Sequence, residues 1–298
     1  MNLSDQYEVK KKNSFVPKKQ IKLHLNKYKT LNETKAIIKR LSLQSYRRPA
    51  NLMISMIQPI LWLTLFGALF HNAPIYLFEQ YKIQYREFLN PGIIIFTSFN
   101  GAINAGLSII FDREFGFLNR ILVSPISNKS SVIYSCLIHT WLVATLQIIT
   151  IIFFTTYKSN NDIVFNIQQL IVSISVSTII ISNVSVISIC SALILPGHIE
   201  FIALTTLLIN LPTLFTSTAL APLSFMPTWL QVTCCINPLT YAIEIIRSYS
   251  LNKSLALESE IIKTTLVNIN VQQSILMLIT INVISIVFAE KVIKYKYD

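Results

Sequence analysis

Apolar residues gather in six runs, at 52–70, 92–111, 132–155, 170–195, 201–220 and 271–289. A helix of about 20 such residues crosses the roughly 30 Å of hydrocarbon in a bilayer. The pattern predicts an all-α membrane protein with six transmembrane helices. Between the second and third runs lies FDREFGFLNRILVSPIS, Phe111 to Ser127. Asp112, Arg113 and Glu114 are three charges in a row, and charge is costly in hydrocarbon. The loop therefore belongs at the interface or in water. An amphipathic stretch carries it on to Pro125. A short element of this kind can couple a membrane bundle to a soluble partner.

The ends of the pattern differ from its middle. Residues 1–30 are basic and polar, and read as a disordered tail. Over 31–50, Ala36, Ile37, Ile38, Leu41 and Leu43 alternate with Lys35, Lys39, Arg40, Arg47 and Arg48. This predicts an amphipathic helix lying at the interface, capped by Thr30 or Asn32. Residues 51–298 then form the six-span domain. Before the last span, residues 221–246 are largely apolar but carry Pro222, Pro227 and Pro238. Three prolines argue against one straight helix. A re-entrant segment on the outer face is expected, with Trp229 and Tyr241 at headgroup depth. Broken backbone cannot face lipid, so this segment must pack on the bundle.

Two spans carry polar stripes at helical spacing. Thr97, Gly101, Asn104 and Ser108 share one face of the second. Thr206, Asn210, Thr213 and Ser217 share one face of the fifth, where Pro212 adds a kink. Small, weakly polar residues suit close helix contacts. The same stripes suit a substrate path at a subunit interface, and both readings stand. The fourth span holds many serines without one clean face.

Composition agrees with the class. Mean hydropathy is +0.54. Charged residues are 13 % of the chain, against about 25 % in soluble domains. The net charge of +11 has an address: of 25 Lys and Arg, 19 fall in the N-terminal 50 residues, the loop after span 2 and the C-terminal tail. With six spans these share one side, which the positive-inside rule makes cytosolic or its organellar equivalent. The charge then serves orientation and lipid contact, not nucleic acid.

Several chemistries find no residues here. No Gly-x-x-x-x-Gly-Lys phosphate loop is present among six glycines, so ATP is not bound in that way. His24, His71, His139 and His198 are scattered, and no metal site is visible. Cys136, Cys190, Cys234 and Cys235 suggest no disulfide framework. No paired intramembrane carboxylates point to proton coupling.

Three stretches carry a resemblance. They are Arg47-Arg48-Pro49 with Gln58-Pro59-Ile60-Leu61-Trp62 and Phe66-Gly67; FLNPGI (Phe88 to Ile93) with DREFGFLNRILVSP (Asp112 to Pro125); and Pro222 with Pro227-Thr228-Trp229-Leu230, Asn237-Pro238-Leu239-Thr240-Tyr241 and Arg247. In this order the chain resembles the type-two permeases of ATP-binding cassette exporters, closest to cyanobacterial and red-algal plastid members. It departs from them at Thr216-Ser217-Thr218-Ala219, where a serine-glycine pair is usual, and at Asn119-Arg120.

The resemblance implies a permease subunit that exports an unidentified, amphipathic or lipid-like substrate. It implies a homodimer powered by a separate ABC-type ATPase, with ATP and Mg on that partner and no cofactor or catalysis on this chain. It implies that Asp112, Arg113, Glu114, Phe115, Gly116, Phe117, Leu118, Leu122 and Pro125 form the coupling element. It implies that Pro222, Pro227, Trp229, Asn237, Pro238, Tyr241 and Arg247 belong to the outer re-entrant segment. A plastid membrane fits the richness in Ile, Asn and Lys, and a bacterial cytoplasmic membrane is the other setting. A haem-export component and a non-transport assembly factor remain as alternatives.

Overall fold

A computed structural model describes residues 27–70, 85–123, 130–158, 167–194, 199–252, 256–263 and 268–297. The expected tail falls almost wholly outside this set. The elements are helices α1 (Lys27–Arg47), α2 (Pro49–Leu69), α3 (Tyr85–Ile103), α4 (Ala105–Glu114), α5 (Phe117–Val123), α6 (Ser130–Lys158), α7 (Ile167–Ile194), α8 (Ile199–Phe215), α9 (Thr228–Ile236), α10 (Pro238–Asn252) and α11 (Val271–Tyr297). Strands β1 (Glu260–Lys263) and β2 (Asn268–Asn270) pair antiparallel just before α11. Among the described residues the regular structure is helical apart from this strand pair, whose Ile262 and Ile269 are buried.

Among the described residues, five helical stretches are long and apolar enough to cross a membrane: α2, α3 with α4, α6, α7 and α11. The expected sixth is shorter. Its helix, α8, has 17 residues and stops at Phe215, not at Leu220. The Asn237 side-chain amide donates to the carbonyls of Thr213 and Thr216, at 3.0 and 2.9 Å. Those carbonyls are held by a side chain where the next turn of helix would otherwise engage them.

The second span is broken as well. α3 ends at Ile103 and α4 begins at Ala105, with Asn104 between them. The Ser188 hydroxyl of α7 donates to the Ile103 carbonyl at 2.5 Å and accepts from the Gly106 N–H at 3.0 Å. A side chain inserted into the backbone ladder is a known cause of a kink. A Cβ on Gly106 would lie 2.5 Å from the Ser188 carbonyl oxygen, so only glycine fits this approach.

The hub is α7, which packs on α3, α4, α6, α10 and α11. Its serines have no single clean face because it has neighbours on nearly every side. Ser173, Ser177 and Ser185 are fully buried, where small side chains let several helices approach at once. The largest core cluster, including Phe88, Ile94, Ile148, Ile180 and Ile246, lies towards the end of the bundle opposite α1. A second cluster of Leu41, Ile109, Ile110, Leu118, Ile133 and Leu193 lies beneath α1.

α1 starts at Lys27, so Thr30 and Asn32 are inside it and are not its caps. It packs on α6. The Ser135 hydroxyl donates to the Thr34 carbonyl at 3.2 Å, and Ser45 bonds His139 Nε2 at 3.0 Å.

Candidate functional site

The charge triplet belongs to the end of α4. The chain turns there: the Phe115 N–H donates to the Phe111 carbonyl at 3.0 Å, and Gly116 N–H to the Arg113 carbonyl at 3.1 Å. Gly116 has φ of +70°, a left-handed conformation that costs other L-residues about 1–2 kcal/mol. The coupling element expected over 112–125 is therefore in two pieces among the described residues, the end of α4 and, beyond the turn, α5.

Each member of the triplet has its own place. Asp112 receives both terminal nitrogens of Arg40 from α1, one at 3.1 Å and the other closer. Bidentate pairs of this kind fix geometry as well as charge. The same guanidinium stands 4.2 Å from the Phe117 ring centroid, a cation–π contact. Arg40 thus faces the corner and is not part of the basic surface its spacing suggested. Arg113 donates to the Ala192 carbonyl at 3.1 Å, in the last turn of α7. A cation there satisfies an end carbonyl and suits the helix dipole. Glu114 is exposed.

Around the turn the apolar residues divide. Leu118 is buried in the cluster beneath α1. Phe115 and Val123 point outward, 75 % and 87 % exposed. α1 adds exposed Leu31, Leu43 and Tyr46 between Lys35, Lys39 and Arg47. Leu122 lies in α5 with its side chain outside the described set, and Pro125 lies outside it altogether.

The two polar stripes meet different surroundings. Thr97 is buried and donates to its own helix, at the Ile93 carbonyl. Gly101 faces Ala144 and Gln147 of α6. Ser108 lies against Cys136 of α6, with Oγ to Sγ at 3.7 Å. Asn104 sits exposed at the break and donates to the Asn100 carbonyl. The first stripe thus mostly faces α6. In the second, Thr206, Asn210 and Thr213 are half-buried on α8, which leans on α3 and α4, and Ser217 is buried in the following turn. Leu204, Leu207, Leu208, Leu211 and Phe215 leave a flank of α8 exposed.

The opposite end of the bundle is stapled. Asn237 caps α10: its Oδ1 accepts from the Leu239 N–H at 3.0 Å, and Pro238 takes the first helical position. Tyr241 donates to the Cys235 carbonyl and ties α10 to α9. Pro222 is buried, while Pro227 and Trp229 are exposed, Trp229 by 67 %. Arg247, 1 % exposed, pairs with Glu244. Its other terminal nitrogen donates to the carbonyls of Thr218 at 2.8 Å and Phe88 at 3.3 Å. Its guanidinium carbon stands 3.7 Å from the Phe88 ring centroid.

Arg40, Glu244 and Ser188, with Gly92 of α3 set tight against the Ala219 backbone, carry much of this geometry and were not singled out from the sequence. Glu244 and Arg247 stand three apart on one helix, a spacing that puts them side by side. For the others the partner is 72 or more residues away, and no local pattern signals it.

Residues 32–251 match the family described as ABC-2 type transporter. The chain is 43 % identical over 271 residues to a protein of Porphyra purpurea that carries the name transport permease ycf38, covering 91 % of this chain and 92 % of that one. The protein of the same name from Cyanophora paradoxa is 41 % identical over 89 % of this chain and 90 % of its own.

Proposed function

Since the chain belongs to the ABC-2 type transporter family and is the membrane permease subunit of an ABC transporter, we propose that the α4–α5 corner is where an ATPase drives it. The ATPase is a separate polypeptide that carries ATP and Mg. Two copies of this chain pair in the membrane, and a substrate path runs along α3, α4 and α8. Both termini lie on the corner's side, the stroma of a plastid if the setting of its algal relatives is shared.

The observation that carries this reading is the corner itself. Phe115, Glu114 and Val123 are exposed at a turn where Asp112, Arg113 and Leu118 are held by other elements. Asp112 is tied to α1 through Arg40, Arg113 to the end of α7, and Leu118 to the core. A push on the exposed residues would reach three elements at once. Fixed attachment of this kind is what rigid-body transmission needs. The middle of the path carries Asn100, Asn104, Thr206 and Asn210, weakly polar side chains that suit an amphipathic or lipid-like cargo.

The test is a mild-detergent capture of the tagged chain, followed by mass spectrometry and an ATPase assay. We expect a phosphate-loop ATPase to co-purify. Glu114→Lys should keep membrane insertion and lose capture or coupling. A chain recovered alone, with no ATP turnover, would move the reading to an assembly factor.

A further inference from the structure

The turn that follows α8 is fixed at four points. Arg247 donates to the Thr218 carbonyl at 2.8 Å. The Tyr85 hydroxyl donates to the Leu220 carbonyl at 3.0 Å. Asn237 holds the Thr216 carbonyl at 2.9 Å. Gly92 of α3 touches Ala219 so closely that a Cβ would lie 2.5 Å from its carbonyl oxygen. The anchors come from both sides of the turn in sequence, since Tyr85, Phe88 and Gly92 are on α3 while Asn237 caps α10 and Arg247 lies on it. Arg247 joins them, with one carbonyl from each side and its guanidinium on the Phe88 ring.

The rest of α8 is held differently. Leu204, Leu207, Leu208 and Leu211 are all 47 % exposed or more, so a full flank of α8 is uncovered among the described residues. Pro212 lies inside the helix just before the anchored turn and cannot donate to the preceding turn. A helix with one end fixed, a missing backbone bond beside that end and a lightly packed body has one easy motion.

We infer that Arg247 is a positioning residue that fixes the distal end of α8 to α3, so that α8 swings about Pro212 and opens at the end nearer the coupling corner. Glu244 holds the guanidinium in place and balances its charge inside a buried site. The inference rests on the proposal that an ATPase drives the chain. It adds which end of the path moves, and which residue makes the other end stay.

Spin-label distances in the assembled permease–ATPase complex decide it, with the native cysteines replaced and labelled chain diluted in unlabelled chain. One pair, at Glu87 and Phe215, reports the anchored end. The other, at Tyr134 and Leu204, reports the opposite end of α8. All four positions are exposed. Between the nucleotide-free and ATP–vanadate-trapped states we expect the first distance to hold and the second to shift by several ångströms. A shift in the first pair, or none in the second while vanadate trapping is verified, would overturn the hinge. Failure to trap nucleotide at all would instead count against the ATPase reading.

The charge-balanced variant Glu244→Gln with Arg247→Met should still assemble, yet broaden the first distance and shrink the nucleotide-linked shift in the second. Arg247→Lys should restore less of that shift than the native residue, because an ammonium cannot present the planar fork. An unchanged first distance in the double variant would remove Arg247 from the role.

Discussion

Gly92 and Gly116 are both glycines for steric reasons, and the reasons differ. At Gly92 an alanine methyl would collide with the Ala219 backbone, 2.5 Å from its oxygen and 2.7 Å from its Cα. Backbone cannot step aside as a flexible side chain can, so Gly92→Ala should cost about 1–3 kcal/mol. At Gly116 a methyl would meet nothing within 4 Å, and the only penalty is φ of +70°. Gly116→Ala should keep the distal end intact and mainly disturb the coupling corner. Thermal unfolding in detergent should show the larger loss for Gly92→Ala, and ATPase coupling the larger loss for Gly116→Ala. The Arg40–Asp112 pair is the third residue-scale case. Its side chains are 29 % and 13 % exposed, so solvent screens it in part. A double-mutant cycle with Arg40→Ala and Asp112→Ala should give a coupling energy of about 1 kcal/mol that falls as salt rises.

At the scale of elements, α5 is seven residues long and is held by what it touches, not by helix propensity. Its exposed Val123 and the nearby Phe115 are the large apolar side chains that this corner offers a partner. Phe115→Asp with Val123→Asp should weaken ATPase capture by at least about tenfold, roughly 1.4 kcal/mol, while α1 stays on α6. Affinity of the purified complex at fixed salt checks this. The same scale shows what could be read from the sequence and what could not. The long apolar runs, the helix over 31–47 and the irregular stretch after Pro222 all come from local pattern and proline chemistry. The split of the charge triplet from α5 does not, because it depends on a glycine φ and on where Arg40 reaches. The stop of α8 at Phe215 depends on Asn237, 21 residues beyond the Thr216 carbonyl it holds. The strand pair before α11 rests on two buried isoleucines, Ile262 and Ile269, packed beside α10 and α11, and its four- and three-residue strands are too short for alternation to announce them.

For the whole molecule, we propose that orientation follows from charge: six spans would put 19 basic residues on one side and six on the other. A cysteine at Leu31 should react with an impermeant reagent only from the side of the termini, and one at Phe225 only from the opposite side. The reverse pattern would place the coupling corner out of an ATPase's reach. One feature of the interior bears on how the protein is made. α3, α4, α6, α10 and α11 all pack on α7, and α7 is built after more than half the chain has been synthesised. Until it arrives, α3 can pack on α2 and α6 but lacks its contacts with α7 and α10, although most of α3 is buried in the finished protein. Assembly inside the bilayer must therefore wait for the ribosome to deliver residues 167–194. Nascent chains arrested before that point should be cut readily by protease. Those arrested after it should begin to resist, with α7 acting as the keystone of biogenesis.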